Sequence, residues 1–129
     1  MPTASAEQAI YDRLIGHTAL TALIGDRLWP DESKQDPTLP FVLYQRTNAV
    51  RVGTLAGAGG LRLAEIAIDV FSETALEQQT IGKLIEDRLD SWRDATVGVQ
   101  GCFVEPGDSQ ETEWGRTLSL VVKVWFSPV

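Results

Sequence analysis

A strictly alternating segment that runs directly into a capped amphipathic helix, over Arg62–Trp92, limits what this chain can fold into. Ala64, Ile66, Ile68 and Val70 fall on one side at period two while Glu65 and Asp69 fall on the other, which predicts a strand with one buried face. Thr74 is placed to cap a following helix with Glu77 three residues on, and Ile81, Leu84, Ile85, Leu89 and Trp92 recur at helical spacing. A helix with one apolar stripe that follows a one-sided strand must lie on the sheet to which that strand belongs. The two periods together define a core of Ile66, Ile68, Val70, Ile81, Ile85, Leu89, Leu120, Val122 and Val124.

On the N-terminal side, Ser5 and Gln8 form a second capping-box pattern, and Ile10 and Leu14 continue an apolar stripe until Gly16, predicting a helix over Ala6–Ile15. Thr18–Ile24 reads as a short further turn of helix closed by Gly25, with Arg27–Trp29 extended before Pro30. Charges and prolines make Asp31–Pro40 a surface loop. Phe41–Thr47 is rich in strand formers, and Asn48–Gly60 reads as a long, flexible hairpin connection.

After the central helix, Val97, Val99 and Cys102–Val104 predict a shorter strand bent by Gly98 and Gly101, and Glu105–Glu113 a polar loop. Leu118, Leu120, Val122, Val124 and Phe126 alternate most clearly of all. The order helix, strand, strand, helix, strand, strand predicts an α+β fold, with an antiparallel sheet of about four main strands and helices on one face. With 129 residues, 43% of them hydrophobic, residues 1–129 are expected to form one domain.

Several chemistries are excluded by what is missing. The formal net charge of −7 disfavours gripping nucleic acid through its phosphates. The apolar runs fall short of the roughly 20 residues a membrane span requires, and no signal-peptide pattern opens the chain, so a soluble cytoplasmic protein is expected. Cys102 is the single cysteine, expected in the core; His17 is the single histidine, expected at a surface position or local cap. Gly57–Gly60 lacks the Lys-Ser or Lys-Thr ending of a phosphate loop and precedes a strand instead of a helix. One His and one Cys make no zinc site, and no Ser, His and Asp arrangement is recognisable. No catalytic residue, cofactor or metal ligand is therefore expected, and no enzyme. Lys83, Glu86, Asp87 and Asp90 read as a solvated helix face with a Lys83–Asp87 pair, and Gly82 as a place for close backbone approach.

Val121 and Trp125 lie on the second face of the last strand, where a one-layer sheet is ordinarily polar, so a loop or another subunit must cover them. They are candidate interface residues, together with Val50, Val52 and Leu55 in the hairpin connection and Trp114 beside the polar loop.

The N-terminal helix with its Leu20–Leu28 continuation, the segment Leu39-Pro40-Phe41-Val42-Leu43-Tyr44, the Leu63–Ser72 strand and the helix after it together resemble the tail-completion, or tail-terminator, family of long-tailed phages and prophages. The passage Ile68-Asp69-Val70-Phe71-Ser72-Glu73-Thr74 carries the resemblance best. It implies a virion structural protein of a phage, prophage or gene transfer agent, made in the host cytoplasm and located at the head–tail junction. The implied assembly is a homo-oligomeric ring, typically a hexamer, that caps the head-proximal end of the tail tube and stops its polymerisation. Its implied partners are the tail tube protein and a head-completion or connector protein, while DNA passes through the lumen without specific binding. The competing readings are an acidic adaptor that binds a protein partner as a monomer or dimer and, third, an enzyme with a spatially assembled site.

Overall fold

The computed structural model describes residues 5–30, 39–51, 62–94, 98–112 and 115–126. Three helices, α1 (Ala6–Ile15), α2 (Thr18–Ile24) and α3 (Ala75–Leu89), accompany five strands, β1 (Leu28–Pro30), β2 (Phe41–Arg51), β3 (Arg62–Ser72), β4 (Val99–Thr112) and β5 (Gly115–Phe126). The strands form one sheet in the order β1-β2-β3-β5-β4. Short β1 runs parallel to β2, and the other three pairings are antiparallel. The α+β class and the antiparallel four-strand body are as the sequence predicts; the fifth, parallel strand is an addition.

Helix starts follow their local chemistry. Ser5 Oγ accepts from the Gln8 N–H at 3.1 Å, and Thr74 Oγ1 accepts from the Glu77 N–H at 3.1 Å. Neither box closes reciprocally: the Gln8 amide donates to Asp12, and Glu77 Oε1 accepts from the Glu73 N–H. α1 and α3 are laced together by a reciprocal pair, Arg13 Nε donating to the Arg88 carbonyl at 3.2 Å and Arg88 Nε to the Arg13 carbonyl at 3.1 Å. The Arg13 guanidinium also lies 5.0 Å above the Trp92 ring, within cation–π range.

All nine predicted core side chains are buried between α3 and the sheet, and α1 and α2 extend this layer with Ile10, Leu14, Leu20 and Ile24. Gly82 permits the close approach that its position in α3 suggests, because a Cβ there would stand 2.6 Å from Leu118 Cδ2. Cys102 is in this core, and burial pushes its thiol up to about 12. Lys83 pairs with Asp87 at 3.1 Å as expected.

Three expectations are corrected. Asn48–Arg51 is strand, not connection: β2 continues past an irregularity between Arg46 and Asn48, and Arg51 pairs with Arg62. Glu105–Thr112 is also strand, because the backbone of β4 pairs with β5 whatever the polarity of its side chains. Register shifts at Val99/Gly101 and Pro106/Ser109 interrupt that ladder, and Gly107 fits the second one because a Cβ there would collide with the Ser119 carbonyl. Asp90 does not merely face solvent: its Oδ1 accepts from the Val104 N–H at 3.1 Å.

That contact is part of a wider cover on β4. Asp94 and Val99 exchange two backbone hydrogen bonds of 2.9 and 3.0 Å, and the Ser91 N–H donates to the Cys102 carbonyl at 2.8 Å. Ser91 takes a positive φ of 62° to make this turn. Pro106 brings no N–H of its own. The outer side of β4 is thus occupied by the chain leaving α3 as far as Val104. The expected loop at 31–38, and the expected strand residue Val97, lie outside the described residues.

Candidate functional site

The helices cover one face of the sheet, and no described helix covers the other, where Phe41 is nevertheless fully buried while Val121 and Trp125 are half-buried. Because paired residues share a face, the register places Trp29, Phe41 and Phe71 on this second face at one end, and Leu63, Trp125 and Phe103 at the other. Phe41 stacks on Phe71 with ring centroids 4.6 Å apart and meets Trp29 at 5.6 Å. Phe103 and Trp125 meet edge to face at 5.4 Å, and Phe103 is 52% exposed.

A polar band with Val121 and Ala67 separates the two aromatic groups. Ser119 Oγ donates to Asp69 Oδ1 at 2.8 Å, and Lys123 Nζ donates to Glu105 Oε1 at 3.1 Å. This hydrogen bond, with the attraction of the Glu105 charge, holds the Lys123 ammonium above its ordinary pKa. Lys123 therefore stays charged at neutral pH, tied to Glu105.

Of the sequence-predicted interface residues, Val121 and Trp125 are on this face and half-buried. Val50 pairs with Leu63, in the same register row as Trp125. Val52, Leu55 and Trp114 lie outside the described residues. Sequence reasoning missed the Trp29, Phe41 and Phe71 group; the signal was present as aromatics on three segments, but joining them requires the β1–β2 register. It also missed exposed Phe103, which it placed simply beside Cys102.

A cleft of about 580 Å³ opens between the first turn of α1 and the β1–β2 edge, bordered by Ser5, Glu7, Pro30, Tyr44 and Arg46. Arg46 and Glu7 stand 3.9 Å apart there, a loose ion pair, and Glu7 Oε1 has no hydrogen-bond partner. Burial, then the neighbouring Tyr11 and acidic groups, raise the Tyr44 phenol pKa, so it stays protonated at neutral pH. These groups can bind a polar side chain; they contain no nucleophile set against a base. His17 occupies the N-cap of α2 without a side-chain cap bond. Among the described residues no three His, Cys, Asp or Glu side chains are grouped to hold a metal.

A one-layer sheet with helices on one face and an aromatic, half-polar opposite face is the form of a subunit that works through its surfaces. Residues 8–125 match the family described as tail completion protein gp17, and the chain belongs to that family. It is accordingly a non-enzymatic structural protein of a phage-type virion tail, assembling with other virion components. A chain in the virion of a native gene transfer agent particle has the same fold, with a TM-score of 0.75 and 16% identity over 92% of this chain and 91% of that one. No curated protein matches.

Proposed function

We propose that residues 1–129 act as a single tail-terminator domain that forms a ring, six copies around, at the head-proximal end of the tail tube. The ring ends tube polymerisation and offers its free side to a head-completion or connector protein, and DNA passes through its lumen without being held. Assembly takes place in the host cytoplasm, and the finished ring stays at the head–tail junction. The single observation that carries this reading is the uncovered sheet face: half-buried Val121 and Trp125 with exposed Phe103 form an apolar surface of the kind that marks a protein contact. Val50, Val52, Leu55 and Trp114 are proposed to join Val121 and Trp125 in the contacts of the ring.

Light scattering on the purified chain, followed by electron microscopy after mixing with tail tubes, tests the reading. Rings on one end of tubes of fixed length are expected. Binding as a monomer or dimer without any effect on tube length would favour the adaptor reading instead.

A further inference from the structure

We propose that the paired guanidiniums of Arg13 and Arg88, at the adjoining C-terminal ends of α1 and α3, form a site for one carboxylate side chain of a neighbouring copy of this chain. The proposal rests on the ring reading and gives it a contact on the helix layer. Arg13 lies in the last turn of α1 and Arg88 in the last turn of α3. Each donates its Nε–H to the other's backbone carbonyl, at 3.2 and 3.1 Å, and Arg13 is further seated 5.0 Å over the Trp92 ring. Both residues are half-buried. Two like charges are thus held side by side in a fixed setting, which leaves an incoming ligand less side-chain freedom to remove.

The fold itself meets only part of that charge. A helix C-terminus carries roughly half a negative charge, so the two ends together offset about one of the two positive charges and leave about one. The acidic residues beside the two arginines in sequence are engaged elsewhere: Asp12 accepts from the Gln8 amide, Asp87 pairs with Lys83, and Asp90 accepts from the Val104 N–H. Burial first and Arg88 next lower the Arg13 pKa, and the opposing pull of Asp94 is weaker than either. Among the described residues no carboxylate forms an ion pair with Arg13 or Arg88, and the Nη groups of both make no hydrogen bond.

The way in passes Gly16. A Cβ at this exposed position would stand 3.8 Å from Arg88 Nη2, and the glycine carries none. Its φ of −82° is one that any residue adopts, so the backbone does not require glycine here, and its bareness leaves the guanidinium within reach. A residual charge of about one unit and the planar fork of a guanidinium suit a carboxylate. A run of phosphates would meet the repulsion of a chain at −7. A second copy has the chemistry required: it carries 18 acidic residues against 11 basic ones, and Asp26 and Glu73 are exposed and in no ion pair among the described residues.

Gly16→Asp tests the site without touching either arginine, because it sets a carboxylate of the chain's own beside Arg88; Gly16→Asn is the neutral control of the same shape. The probe is hexaglutamate, followed through the arginine Nε–H NMR signals of the full chain, with hexaglutamine, inorganic phosphate and duplex DNA alongside. Hexaglutamate should shift the Arg13 and Arg88 signals, less so as salt rises, and hexaglutamine should not. Gly16→Asp should weaken that binding about tenfold or more, while Gly16→Asn binds as the wild type does. Ring formation on tail tubes, read by sedimentation and electron microscopy, should fall in Gly16→Asp and persist in Gly16→Asn. No shift with hexaglutamate, or equal binding by the two variants, would overturn the site. Tighter binding of phosphate or duplex DNA at the same signals would assign the arginines to phosphate and overturn it too. Hexaglutamate binding lost in Gly16→Asp with rings intact would overturn the second copy as occupant and leave the ring reading standing. A wild type that binds hexaglutamate but forms no ring even on tubes removes the ring reading itself, and the second-copy occupant with it.

Discussion

The two faces of this sheet are built from the same central strands, β3 and β5, and reach opposite solutions. On the helix side, Ile66, Ile68, Val70, Leu120, Val122 and Val124 are sealed by α3 and its neighbours. On the other side, Val121, Trp125 and Leu63 are only half-buried, and Phe103 is exposed. The first face is held by area removed from water within the chain; the second gains comparable burial only if another surface arrives. Stability and assembly are thus written on opposite sides of a single layer, and substitutions on the two sides should separate them.

The largest effect is expected on the sealed side. Ile85→Ala removes a fully buried side chain and should cost about 2 to 5 kcal/mol in chemical denaturation. A loss below about 1 kcal/mol would mean that the helix layer is not where the stability resides. Next comes Gly107→Ala, whose new methyl meets backbone at the Ser119 carbonyl and cannot be relieved by a rotamer change; about 1 to 3 kcal/mol is expected. Gly82→Ala is its control, since the atom it meets is the end of the Leu118 side chain and the helix gains up to about 1 kcal/mol of propensity. Gly82→Ala should therefore be the milder of the two, and the reverse order would contradict the β4 register.

Cys102 gives a pH-dependent version of the same contrast. Its thiol pKa is raised from 9.0 to about 12 by burial first, with Asp90 adding to it, so the folded state keeps the proton that the unfolded state releases. Stability from this group is full below pH 9 and is lost as pH rises from 9 toward 12. Between pH 8 and pH 10 the loss should be on the order of 1 kcal/mol, and Cys102→Ala should remove that part of the slope. Alkylation of the thiol at pH 8 should wait for unfolding. The smallest effect on stability belongs to Phe103→Ser, expected below about 1 kcal/mol because half of the ring is already in water. Its effect on assembly should be the larger one, read as fewer tube ends capped in electron micrographs.

Legibility in the sequence follows the same division. β3, α3 and β5 could be read with their faces because each has one dry side, and a dry side imposes a period on the residues. The distal half of β4 could not: Glu105–Thr112 is held by backbone pairing to β5 at the edge of the sheet, and an edge imposes no apolar pattern. β1 is three residues long and parallel to its partner, so its place depends on Leu28 meeting Val42 across a distant register that no local signal encodes. Val121 and Trp125 were visible as candidates because they break the expected polarity of an outer face. The aromatic group of Trp29, Phe41 and Phe71 was not, since each of its members is unremarkable in its own segment.

The cover over β4 also has a meaning in time. Asp90, Ser91 and Asp94 immediately precede the strand they protect, and closing a loop of about ten residues takes roughly 10 to 100 ns. As synthesis proceeds from the N-terminus, this guard leaves the ribosome before β4 does, and β5 follows to occupy the strand's other side. A strand bare on both sides is a template for aggregation, most of all in a crowded cell making many copies at once. In this chain the order of the residues themselves, guard before strand, should shorten that interval of exposure.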